Sequence, residues 1–157
     1  MRDRLVMGKL ITLVGFVITS LFGCDYSNQQ ALRNYDEMLQ DVRHTIDDLA
    51  RYQPRLQDKG TSSLCKSYVK QEVLTRCRLV VKELHAIQPE SPHLIALHSE
   101  LLDIWTGYVD SFEAFVDDLE NYNLKPKKLE LQKALERQEV QLRWWNGEFQ
   151  AYQDQFE

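Results

Sequence analysis

"LIALHSELLDIWTGYVDSFEAFVDDLENY", residues 94–122, decides the fold class of this chain. Leu94, His98, Leu101, Trp105, Tyr108, Phe112, Phe115, Leu119 and Tyr122 recur in alternating steps of four and three. That is the period of one apolar stripe on an α-helix. Ser91 supplies a cap in front of it, and Pro92 occupies the first helical position, where its missing N–H leaves no bond unmade.

Working outward, the same rhythm returns three times. Leu32, Tyr35, Leu39, Val42, Ile46 and Leu49 mark a first helix with Ser27 or Asn28 as cap, ending before Pro54. Val69, Val73, Cys77, Val80, Leu84 and Ile87 mark a second, from about Ser63 to Ile87. A fourth begins near Pro126 and carries Leu131, Leu135, Gln138, Leu142, Trp145, Phe149, Tyr152 and Phe156. No stretch alternates with period two for long enough to make a strand. The expected fold is all-α: an antiparallel four-helix up-down bundle of long, heptad-like helices, each about 40 Å long. Stripes this regular also suit a coiled coil, so a homo-oligomer is a second arrangement.

The segment before the first helix is of a different kind. Arg2, Arg4 and Lys9 stand against Asp3 alone, and residues 10–22 are almost wholly apolar. A bilayer-spanning helix needs roughly 20 apolar residues, whereas the apolar part of a signal peptide needs about 7 to 15. The run ends in Leu21-Phe22-Gly23-Cys24, which resembles the lipobox of bacterial lipoproteins. The resemblance implies that residues 1–23 are a cleaved signal peptide and that the Cys24 thiol carries a diacylglyceryl group. Residues 24–157 are then a lipid-anchored domain whose new amino terminus takes a further acyl chain, such as palmitate. Two or three acyl chains hold a protein stably on a membrane, where one is marginal. The resemblance places the chain in the bacterial cell envelope, facing the periplasm. Asp25 after the acylated cysteine resembles a sorting signal for inner-membrane retention; the outer membrane is the other destination.

Residues 24–157 hold 16 Lys and Arg against 23 Asp and Glu, a net charge of −7. An acidic chain without a basic tail argues against nucleic acid, whose phosphates require clustered cations. Seven acids and no Lys or Arg lie between Ser91 and Leu124, while five bases and two acids lie between Ser62 and Gln88. Neighbouring helices of this kind attract one another through their solvated faces; the functional alternative is an acidic surface for a cationic partner.

With Cys24 acylated, Cys65 and Cys77 remain as a candidate disulfide pair in an oxidising compartment. Twelve residues of continuous helix separate two positions by about 18 Å, whereas a disulfide needs Cα atoms within about 7 Å. A bond therefore requires residues 67–71 to fold back.

The patterns of catalysis and cofactor binding are missing. Haem attachment needs C-x-x-C-H, and the fourth helix contains no histidine to face Met38. Di-iron bundles need two Glu-x-x-His motifs, and the one match, Glu90 to His93, straddles Pro92. No nucleophile elbow or glycine-rich phosphate loop occurs. The weak metal candidates are Asp41, His44 and Asp48, aligned on one helical face. His98, inside an apolar stripe, is expected to be a satisfied core histidine. No cofactor and no enzymatic activity are expected.

"RWWNGEFQAYQDQF", residues 143–156, is the candidate partner-binding element, with Trp144, Trp145, Phe149 and Tyr152 as its aromatic residues. Trp145, Phe149 and Tyr152 follow the core rhythm, but Trp144 lies about 100° round the helix from Trp145. Fraying at Gly147 would expose the whole set. The sequence thus points to a non-catalytic, protein-binding accessory subunit of an envelope complex, in a secretion, exclusion or immunity type of role. The alternative is a periplasmic ligand- or metal-binding sensor that uses the bundle interior.

Overall fold

A computed structural model describes the backbone of residues 3–52, 61–119 and 124–156, and the side chains of those from 26 onward. Tyr122, the 53–60 connection and the side chains of Cys24 and Asp25 lie outside the described residues. The chain is all-α, with no strand among the described residues. Helix α1 runs over Asp3–Ala50 and α2 over Ser62–Tyr68; a π-helical segment, Val69–Leu74, leads directly into α3, Thr75–Ala86. Helix α4 spans Pro92–Asp118 and α5 spans Leu124–Gln153.

One boundary differs from the sequence expectation. Ser27 and Asn28 do not cap α1, which passes through them without interruption. Serine and asparagine cost only a few tenths of a kcal/mol inside a helix, and no proline stands nearby to stop it. The expected start of α4 is present: the Ser91 side chain accepts from the Leu94 N–H at 3.3 Å, with Pro92 at the first position. Thr61 caps α2 in the same way, accepting from Leu64 N–H.

The stripes become the core. Leu32, Tyr35, Leu39, Val42 and Leu49 of α1 belong to one buried cluster with Val69 and Val73 of the π segment and Cys77, Val80 and Leu84 of α3. From α4 come Leu94, Leu101, Trp105, Tyr108, Phe112, Phe115 and Leu119, and from α5 come Leu131, Trp145, Phe149 and Tyr152. Each large apolar side chain removed from water contributes about 1.5–3 kcal/mol. This burial, rather than helix propensity, carries the stability.

Polar links fix which stretches lie together. Thr45 Oγ1 donates to Glu83 Oε1 at 3.1 Å, and Arg76 Nε to Asp48 Oδ2 at 2.8 Å, joining α1 to α3. Arg78 Nη2 reaches Glu113 Oε1 at 2.6 Å, joining the basic and acidic helices. Lys127 Nζ donates to Asp118 Oδ2 at 2.9 Å, Gln29 Nε2 to the Phe156 carbonyl at 3.1 Å, and Tyr68 Oη to the Tyr52 carbonyl at 2.8 Å. Helix α5 packs against α4 at Gly107, where a Cβ would run into the Gln138 carboxamide.

The π segment has a cause in the sequence. Cys65, Val69, Val73 and Cys77 recur in three successive steps of four, and all four are fully buried. In an α-helix, each such step gains about 40°, so three would carry the stripe about 120° off the core. One widened turn of i→i+5 bonds takes up an extra residue and restores the alignment. Thr75 Oγ1 donates to the Lys70 carbonyl at 3.2 Å inside this turn.

Candidate functional site

A buried polar node sits where all four helical rods meet. Tyr35 of α1 places its Oη 3.1 Å from His98 Nδ1 on α4, and His98 Nε2 lies 3.0 Å from the Leu84 carbonyl near the end of α3. A carbonyl can only accept, so Nε2 carries the proton and Nδ1 accepts from the tyrosine hydroxyl. Leu84 is available because its carbonyl belongs to the last turn of α3, where one lone pair takes the Ile87 N–H and the other remains free. Helix α5 closes the node with Phe149, edge-on to Tyr35 at 5.7 Å between ring centres, and with Trp145, stacked on Phe149 at 5.1 Å. Trp145 Nε1 donates to the Leu97 carbonyl at 2.6 Å.

The electrostatics of this node favour neutral groups. Burial pushes the His98 pKa down, opposed by its bond to the Leu84 carbonyl and assisted by the nearby His85. Burial pushes the Tyr35 phenol up. Nearby, burial lifts the Cys77 thiol to about 12 and the Tyr108 phenol to about 12. Shifted pKa values in a cleft point to catalysis. Here the node is closed to solvent: Tyr35 is fully buried and His98 nearly so, and neither lines the clefts found beside α5 among the described residues. The expected satisfied core histidine is what His98 is, and its partners come from segments that no local motif connects.

The candidate residues named from sequence divide clearly. Trp145, Phe149 and Tyr152 are buried, so they are not available to a partner. The reason is that α5 continues unbroken through Gly147 to Gln153 and keeps them on the core face. Trp144 alone of that set is exposed, at 52%, and Val140, one turn earlier, is exposed at 57%. Gly147, one turn further on, has nothing within 4 Å of where a Cβ would stand. Val140, Trp144, Gly147 and Ala151 therefore form a shallow apolar strip on the outside of α5.

Cys65 and Cys77 are free thiols, both buried. The disulfide is not formed because residues 67–71 are helical rather than folded back. The metal candidates also separate. Asp48 is occupied by Arg76, whose Nη1 further binds Glu72 Oε2 at 2.9 Å and whose guanidinium lies 3.7 Å over the Tyr52 ring. Asp41 and His44 remain on the exposed side of α1. Among the described residues no group of three or more His, Cys, Asp or Glu comes together in a way that would hold a metal ion.

Among the described residues no helix is long and apolar enough to cross a membrane. No protein-family model matches the sequence, and neither a curated protein nor a solved structure matches it at a significant level.

Proposed function

We propose that the chain is a bacterial envelope lipoprotein, anchored through Cys24 after removal of residues 1–23, that binds another envelope protein without catalysing a reaction. The fold of the anchored part is an antiparallel up-down four-helix bundle. Support for that arrangement comes from contacts running in opposite sequence order: Thr45 with Glu83 and Asp48 with Arg76; Leu84 with His98 and Arg78 with Glu113; Leu97 with Trp145 and Asp118 with Lys127. Asp25 favours retention at the inner membrane, with the domain facing the periplasm.

The observation that carries the binding role is the exposure of Trp144. A tryptophan half in water beside Val140 and a bare Gly147 offers an anchor that fits an apolar pocket on a partner, and tryptophan is enriched among residues that dominate binding energy. The buried titratable groups Tyr35, Cys77 and His98 are assigned a structural role, with burial the first cause of each shift. The acidic face of α4 is partly neutralised by Arg78 and Lys127, which makes it a weaker binding surface than the α5 strip.

Two measurements test this reading. Labelled palmitate should enter the wild-type protein and be lost on Cys24→Ser; incorporation that survives the substitution removes the anchor. A photo-crosslinker at Val140 should yield one discrete adduct in native membranes, absent when Trp144 is also changed to Ala. The same adduct from a crosslinker at Lys70, which is exposed on another helix, would show that the strip is not the contact.

A further inference from the structure

Three separated segments share one end of the bundle. Asn28 of α1, Ser91, Pro92 and His93 at the start of α4, and Tyr152, Gln155 and Phe156 at the end of α5 line a single cleft of about 410 Å³. His93 stacks on Tyr152 at 4.2 Å, Phe156 meets Tyr152 edge-on at 5.2 Å, and Gln29 ties α1 to the Phe156 carbonyl. From the proposed acylation site, Cys24, to this end the backbone is continuous helix.

We infer that this end of the bundle lies directly on a bilayer surface, at the level of zwitterionic headgroups, with the helices rising from it. The inference rests on the lipoprotein reading and adds the orientation of the domain. A helix rises about 1.5 Å per residue, so Tyr26 lies roughly 3 Å along the axis from Cys24. The polar headgroup layer of one leaflet is roughly 5 to 7 Å deep. With helix in place of a flexible linker, the end face has no slack with which to leave that layer.

The chemistry of the end face agrees with the location. Residues 26–32 and 91–95 contain no Asp, Glu, Lys or Arg, and residues 152–156 contain only Asp154. What they present is hydrogen-bonding and aromatic: Tyr26, exposed at 72%, and His93, also exposed, with the half-buried Asn28, Gln29 and Phe156. Rings with one apolar body and one polar edge concentrate at the headgroup level of membranes. Arg33, the residue after 26–32, lines the neighbouring cleft together with Asp36, so among the described residues this end carries no cationic cluster with which to select anionic over neutral lipid. Trp144, eight residues before Tyr152, stands about 12 Å higher along α5 and stays clear for a protein partner.

The test uses the full acylated protein in phosphatidylcholine vesicles that carry a nitroxide on the headgroup. Single fluorophores are placed through Glu90→Cys, Gln155→Cys and Thr61→Cys, all exposed sites, while the buried Cys65 and Cys77 stay unlabelled. Quenching at 90 and 155 should exceed that at 61 several-fold. Equal quenching at the three sites, or more at 61, with an acyl group on Cys24 verified by mass, overturns the orientation and leaves the anchor intact. Absence of the acyl group removes both.

Discussion

Tyr35 donates its hydroxyl proton to His98 Nδ1 across 63 residues of sequence, with 3.1 Å between Oη and nitrogen. Because the other ring nitrogen donates to the Leu84 carbonyl, protonating His98 breaks the bond from Tyr35 and places a charge in the core. The folded His98 pKa lies below its ordinary value of about 6.5. Between the folded and unfolded values the unfolded chain binds more protons, so stability rises with pH through that window and is lost as pH falls below about 6.5. Urea denaturation at pH 5.0 and 7.5 should show this loss, and His98→Gln should reduce it. An unchanged pH difference in the variant would count against the node. Tyr35→Phe should cost about 1–3 kcal/mol at neutral pH, since it leaves a buried acceptor without a donor.

The buried thiols respond at the opposite end of the scale. Cys77 is held up to about 12 by burial, and Cys65 is raised for the same reason. Unfolded cysteines ionise from about 8.5, so the unfolded chain loses protons first and stability falls as pH rises beyond that value. In the folded protein at pH 8, a thiol reagent should modify neither cysteine, whereas the urea-unfolded chain should titrate both at once. Rapid modification of Cys77 in the folded state would show that the core opens far more readily than its packing implies.

The π segment yields a sharper test. Cys65, Val69, Val73 and Cys77 are spaced four, four and four, and removing one residue between Val69 and Val73 makes the spacing four, three and four. Deletion of Gln71, which is exposed, should therefore convert the segment to regular α-helix and leave the fold intact, with thermal stability changed by only a few degrees. Deletion of Lys82, also exposed but within regular α3, turns everything on one side of it by about 100° against the core and should prevent folding. Circular dichroism and thermal melting of the two deletions decide it; similar outcomes for both would remove the explanation offered for the π turn.

What the sequence made legible was set by periodicity. The stripe from Leu94 to Leu119 could be read because each residue is three or four from the next, and every one of them is buried. The steps of four from Cys65 to Cys77 were equally visible, but a single stripe there looks like ordinary helix until its drift is counted. The partners of His98 were out of reach: Tyr35 and Leu84 belong to other helices, and no local rule pairs them. For the same reason the end shared by Asn28, Ser91 and Phe156 emerges only when the helices are assembled. Trp144 was separable from Trp145 on angle alone, whereas the fate of Phe149 and Tyr152 depended on whether α5 frayed at Gly147.

That last dependence can be measured on α5 itself. Trp145 is buried, stacked on Phe149 and hydrogen-bonded to Leu97, so Trp145→Ala should cost about 3–5 kcal/mol and lower the thermal midpoint strongly. Its neighbour Trp144 is half exposed, and Trp144→Ala should leave stability within about 0.5 kcal/mol. Gly147 has open space at its Cβ position and no unusual backbone angle, so Gly147→Ala should stabilise the domain by about 1 kcal/mol through helix propensity. The combination separates structure from binding. If the α5 strip contacts a partner, Trp144→Ala and Gly147→Leu should abolish the crosslink from Val140 while the melting curve stays close to wild type. A crosslink that persists in both variants would move the contact to another face, and a large loss of stability in Trp144→Ala would mean that the tryptophan belongs to the core.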